Sequence, residues 1–171
     1  IALLLGFGLA AVNAIAAPLI AQLHAKNQHD QMQSMLTLAA KGIVLFTVPA
    51  ALFMVFFGKW MLSIFGDEFT VAYPVLMWLV AGQTINALAG SVGFILTMTG
   101  FPHTAARIIW VAAIGKVSLN LILMPRWGAL GAAIGTALML AFWNFWLWIE
   151  VRKKLDLEPT ILSALRKKSA S

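Results

Sequence analysis

Long apolar runs divided by short polar links set the pattern of this chain. Residues 1–23 carry no charge, and residues 42–65 carry one, Lys59, near their end. Residues 71–99 are uncharged, 104–124 hold Arg107 and Lys116, and 127–149 again hold none. An α-helix rises 1.5 Å per residue, so roughly 20 residues cross a hydrocarbon core about 30 Å thick. The runs therefore predict five transmembrane helices, at about 1–23, 42–65, 71–99, 104–124 and 127–149. No run alternates polar and apolar positions as a transmembrane barrel strand does. The expected fold class is an all-α integral membrane protein, with a transmembrane bundle over 1–155 and a basic cytoplasmic tail over 156–171. The chain opens inside an apolar run, without an initiator methionine or a basic leader. It reads as the C-terminal part of a longer protein.

Composition supports the membrane reading. Of 171 residues, 61% are hydrophobic and 11% charged. Soluble domains carry about a quarter charged residues, so this chain has too few to cover a water-facing surface. The absence of cysteine removes disulfides, thiolate catalysis and cysteine-ligated metals together. A net charge of +6 could suit nucleic acid, but the charges cluster at the ends of apolar runs, which is a topology signal.

Their distribution sets an orientation. With the link after the first helix in the cytoplasm, that side receives Lys26, Lys41, Arg107, Arg152, Lys153, Lys154, Arg166, Lys167 and Lys168. The other side receives Lys59 and Arg126, together with Asp67 and Glu68. Positive residues favour the cytoplasmic face, so the C-terminus is expected there. Trp60, Trp78 and Trp127 fall towards one interface and Trp110, Trp146 and Trp148 towards the other, as anchoring tryptophans do. The link "KNQHDQMQSMLTLAAKG" predicts a cytoplasmic helix capped by Asp30, with Met32, Met35 and Leu36 on its apolar face. His24, His29 and His103 show no metal-ligand spacing and read as solvated loop residues.

Within the helices, small and polar residues line up. In "GALGAAIGTAL", Gly131 and Gly135 make a GxxxG pair that lets a neighbouring helix approach closely. Gln83, Asn86, Gly90 and Thr97 fall within about a third of a helix circumference at 100° per residue. Such a stripe must face protein or a water-filled cavity, because lipid cannot satisfy it. Helix–helix hydrogen bonding and cavity lining both account for it.

"VAAIGKVSLNLILMP", residues 111–125, places Lys116 about 13 Å along the axis from both Arg107 and Pro125. That is near the bilayer midplane, beyond the reach of snorkelling. An unpaired ammonium there costs at least ~2.5 kcal/mol, so it should face the interior. Asn120, one turn on, shares its face, and no Asp or Glu lies inside the five runs to neutralise it. A structural pair with residues upstream of this chain is one reading. A positive charge offered to an anionic passenger is the other, and the favoured one.

Four stretches, "AAVNAIAAPLIAQLHAKN", "AGQTINALAGSVGFILTMTG", "LNLILMPRWGALGAAIGTAL" and the "WN" at Trp143 and Asn144, together resemble the C-terminal half of polysaccharide flippases. These are the O-antigen and lipid-linked oligosaccharide translocases of the multidrug/oligosaccharidyl-lipid/polysaccharide exporter superfamily. The resemblance covers the chain up to about Asp156. It implies the C-terminal lobe of a twelve-helix, two-lobe transporter. Lys116 departs from the pattern, since similar chains commonly carry a neutral residue there, so its role rests on the physical argument.

The expected function is that of a flippase for a polyprenyl-pyrophosphate-linked oligosaccharide, working by alternating access in the bacterial inner membrane for surface polysaccharide biosynthesis. Its cavity would be lined by Lys116, Asn120, Gln83 and Asn86. The expected partners are that substrate, membrane lipids and the missing N-terminal half, with no cofactor, metal or nucleic acid. A multidrug exporter of the same superfamily would carry organic cations and typically uses intramembrane carboxylates. A membrane-embedded enzyme would need a base and nucleophile in reach, whereas Asp67 and Glu68 stand isolated in a short loop.

Overall fold

The computed structural model describes residues 2–26 and 28–155; the basic tail expected at 156–171 lies outside them. Its elements in chain order are α1 (Leu4–Ala25), α2 (His29–Ser63), a short 3-10 helix (Asp67–Ala72), α3 (Tyr73–Ala89), α4 (Val92–Met98) and α5 (Pro102–Leu155). No strand occurs among the described residues. The fold is all-α, and Leu4–Ala25, His29–Ser63, Asp67–Ala89 and Pro102–Leu155 are each long and apolar enough to cross a membrane. In hydrocarbon only helices satisfy their backbone groups within one segment, which is why apolar runs of this length become helices.

Helix α5, at 54 residues, would be about 80 Å long if straight, far more than a bilayer. It is not straight. Gly128, at φ 55 and ψ −134, breaks it into arms at 102–127 and 129–155. Glycine takes this backbone conformation without the Cβ clash that other residues meet. The arms fold back on each other: a Cβ on Gly131 would lie 2.4 Å from the Leu123 carbonyl oxygen, and one on Gly135 2.6 Å from Asn120 Oδ1. The GxxxG pair therefore serves the hairpin itself. Further along, Gly115 faces Met139, and Lys154 Nζ donates to Thr104 Oγ1 at 3.0 Å. The apolar run at 104–124 falls in the first arm, and that at 127–149 falls in the second apart from its first two residues, which belong to the hairpin tip.

Two expected elements differ. The helix expected over 71–99 stops at Ala89 and resumes at Val92, because Gly90 turns to φ 76, ψ −151. The link helix and the second span form one continuous α2, since nothing from Met32 to Gly42 breaks a helix and Leu, Ala and Met favour one. Asp30 is thus not the cap. Gln28 holds that position, and Asp30 lies in the first turn, where its charge suits the positive end of the helix dipole.

Two apolar cores hold the bundle. One gathers Ile20 of α1, Met32 and Leu36 of α2, Ile95 and Leu96 of α4, and Ile108, Leu147 and Val151 of α5. The other gathers Ala2, Leu5 of α1, Met54 of α2, and Leu76 and Val80 of α3. Outside them, Phe53, Phe56, Phe57 and Trp60 of α2 are exposed, an outer surface suited to lipid. Between the cores, Ser91 at the α3–α4 break donates to Asn13 Oδ1 of α1, and both side chains are buried.

The charges separate along the long axis. At the end of the first core, Lys154 sits 4.5 Å from the Phe101 ring and 3.9 Å from Glu150 Oε2, and Arg152 stacks 4.9 Å over Trp148. Lys26 and Arg107 belong to the same end, beside the termini of α1 and the first arm. Asp67, Glu68 and Arg126 lie at the opposite end, with the 3-10 helix and the hairpin tip.

Candidate functional site

The seam between α3 and the second arm of α5 is close at one level and open beside it. Gly82 admits the arm so tightly that a Cβ there would stand 2.8 Å from Ala137 Cα. One turn on, Asn144 Nδ2 donates to Asn86 Oδ1 at 2.9 Å and to the Leu140 carbonyl at 2.8 Å. Beside this seam a cavity of about 320 Å³ opens between α3, the two arms of α5 and the start of α1. Its polar lining is Lys116 and Gln83 with Thr136 and Trp143; Leu79, Ile109, Ala112, Met139 and Leu140 are among its apolar walls.

The helices give the cavity a direction. Thr136 and Trp143 are seven residues apart on one face of the second arm, two turns or about 10 Å. Ile109 and Lys116 have the same spacing on the antiparallel first arm, which places Lys116 nearer the Thr136 end and Ile109 nearer Trp143. Gln83, one residue past the Gly82–Ala137 contact, stands between them. Lys116 is exposed, and no carboxylate among the described residues pairs with its ammonium. A helical side chain leans towards its own N-terminus, so Lys116 leans along the cavity towards Trp143.

The four residues expected at the site separate into two groups. Lys116 and Gln83 share the cavity. Asn86 is committed to Asn144 in the helix seam, and Asn120 turns its Oδ1 into the hairpin beside Gly135, shielded from solvent and without a donor. The polar stripe does not continue beyond them: Gly90 is the helix break, and the Thr97 hydroxyl donates to the Gly93 carbonyl at 2.8 Å. Thr136 and Trp143 were not singled out as lining residues in the sequence. The recurrence of Thr136, Met139, Leu140 and Trp143 at helical spacing is the signal that could have found them. The histidines also change place: all three stand in helices, and His24 at the end of α1 is half-buried with Nδ1 shielded.

A cavity with one cation, one amide, one hydroxyl and one indole among apolar walls can hold an anionic polar group at the level of the membrane interior. Comparison with known proteins gives that chemistry a context. Over 132 residues, 77% of this chain and 28% of the relative, the chain is 31% identical to "Probable low-salt glycan biosynthesis flippase Agl15" of Haloferax volcanii. The chain is flippase-like. It is also 29% identical over 108 residues to an uncharacterized membrane protein of Methanocaldococcus jannaschii, covering 61% of this chain and 21% of that one. The chain thus spans less than a third of the length of these curated relatives. No family model matches it, and no solved structure does.

Proposed function

We propose that this chain forms part of a flippase that moves a polyprenyl-pyrophosphate-linked oligosaccharide across a membrane for surface polysaccharide biosynthesis, with Lys116 as the contact for the pyrophosphate. The observation that carries the reading is the exposed Lys116 on a cavity wall in a chain similar to a glycan-biosynthesis flippase. A cation beside low-dielectric walls concentrates anions, and at this depth it costs several kcal/mol unless it serves a partner or passenger. The same cation opposes the organic cations that a multidrug exporter would carry. Gln83 supplies a second polar contact, and Asn86 ties α3 to the second arm through Asn144.

The reading places the chain in the C-terminal lobe of a two-lobe transporter that exposes the cavity to each side in turn, in a bacterial inner membrane. The basic end of the bundle then faces the cytoplasm, with the tail at 156–171. Because the chain has no cysteine, single introduced cysteines report this directly. A membrane-impermeant thiol reagent applied to intact cells is expected to label a cysteine at Thr70 and to spare one at Ser34. The reverse pattern overturns the orientation. The transport reading is tested in liposomes containing the purified protein, by the appearance of a labelled lipid-linked oligosaccharide in the opposite leaflet. Equal rates with and without the protein overturn it.

A further inference from the structure

We infer that the outward face of the first arm of α5 holds an anionic phospholipid of the bilayer, with its phosphate at Arg107 and an acyl chain along Trp110, Ile114 and Val117. This site is separate from the cavity and requires only that the bundle crosses a membrane. At 100° per residue, Arg107 and Lys116 lie on opposite sides of the arm, so a passenger held at Lys116 does not reach it.

The arm presents three faces. Ala105, Ile108 and Ala112 are at most 3% exposed and pack into the bundle. Ile109, Ala113 and Lys116 border the cavity. Trp110, Ile114, Val117 and Leu121 turn away from both and are each at least 60% exposed. Their spacing of three and four residues puts them on one helix face, and Arg107 begins that face. Contacts between membrane helices favour small residues, whereas these four are large and apolar, so lipid is the neighbour they suit.

Along this face the chemistry changes with depth as it does along a phospholipid. Arg107 is exposed, with no hydrogen bond or ion pair among the described residues, and its guanidinium can take two phosphate oxygens at once. His103 stands exposed one turn outward on the same face, a second donor for the headgroup. Trp110, about 4.5 Å deeper than Arg107, presents its indole at the glycerol level. Ile114 and Val117, about 10 and 15 Å deeper, span the rest of one leaflet of a core about 30 Å thick. Neighbouring cations are engaged within the protein: Lys154 meets Thr104, Glu150 and the Phe101 ring, and Arg152 lies over Trp148. On α2 the exposed Phe53, Phe56 and Phe57 also offer apolar surface, but Lys59 beside them is drawn over the Tyr73 ring. Charge then selects the headgroup, since a cation near the membrane surface favours anionic over zwitterionic lipid.

The test compares photoactivatable phosphatidylglycerol and phosphatidylcholine probes on the purified full-length protein in phosphatidylcholine nanodiscs. The anionic probe is expected to label the first arm, between residues 103 and 117, roughly fivefold more than the zwitterionic one. The same comparison at Phe53–Phe57 of α2 should show no preference. Arg107→Gln should bring the two probes within about twofold on the arm. Lys153→Gln, which removes an exposed cation of the same end outside the site, should keep the preference. If Arg107→Gln fails to fold, as its melting temperature would show, the wild-type preference and the position of the cross-links decide. Excess polyprenyl pyrophosphate should leave the labelling in place; displacement would give the face to the passenger and overturn the proposal. Equal labelling of the arm by both probes, an equal preference on α2, or an equal loss in the two variants also overturns it. So does an arm that neither probe labels, which would show that another part of the protein covers it. None of these outcomes bears on transport, which the liposome assay measures separately.

Discussion

Gln83 and Asn86 stand one turn apart on α3 and meet the same partner helix, yet one lines an open cavity and the other a closed seam. At the seam, Gly82 and Ala137 bring the backbones together and the Asn86–Asn144 hydrogen bond holds them. At the cavity, Gln83 shares the lining with Lys116, Thr136 and Met139 of the two arms. A polar residue in a membrane helix is thus structural where a side chain on the facing helix takes up its hydrogen bond, as Asn144 does for Asn86. It is available to a passenger where it lines an open cavity, as Gln83 does. The α3–second-arm seam holds the hydrogen-bonded polar pair, and the first arm carries the charge.

The largest effect is expected from breaking the close seam. Gly82→Val places side-chain carbons against the Ala137 backbone, which cannot yield as a flexible side chain would. Overpacking of this kind costs about 1–3 kcal/mol or more. Membrane abundance and melting temperature should both fall, and transport with them. A Gly82→Val protein of normal stability would show that the helices separate freely there.

On the open side, Lys116→Ala should reduce glycan export by at least roughly tenfold at normal abundance, a transition of about 1.4 kcal/mol or more. Lys116→Arg should retain part of the activity, since charge is kept while hydration and shape change. Lys116→Glu should be worse than alanine, because a carboxylate repels the passenger. If Lys116→Ala instead lowers abundance and a charge exchange with an upstream acid restores it, the lysine is a strut. Gln83→Leu should slow transport less, by a few-fold, because it removes one neutral contact; an unchanged rate would assign Gln83 to packing.

The smallest effect sharpens the comparison. Asn144→Ala removes a hydrogen bond between membrane helices, for which cycles in membrane proteins average about 0.6 kcal/mol and reach about 1.7. The melting temperature should drop modestly while substrate binding holds. A double-mutant cycle with Asn86→Ala measures the pair itself. A coupling near zero would remove the hydrogen bond from the account of the seam.

Periodicity and hydropathy alone determined that the chain is helical and crosses a membrane, because a hydrocarbon solvent leaves an apolar segment of this length few alternatives. Charge segregation along the chain was equally legible, and the folded bundle keeps Arg107 and Arg152–Lys154 at one end. Lys116 announced itself by the price of a charge at its depth. The tertiary structure decided the rest. Gly90 reads in sequence as one more member of a polar stripe, and only its backbone angles reveal a helix break. The GxxxG pair predicts close approach without naming a partner, which proves to be the chain's own first arm at Leu123 and Asn120. Asn86 and Gln83 cannot be told apart by helical phase, since both lie on the face that meets α5. What separates them is what stands opposite, Asn144 for Asn86 and an open cavity for Gln83, and that is known only once the register of two helices is set.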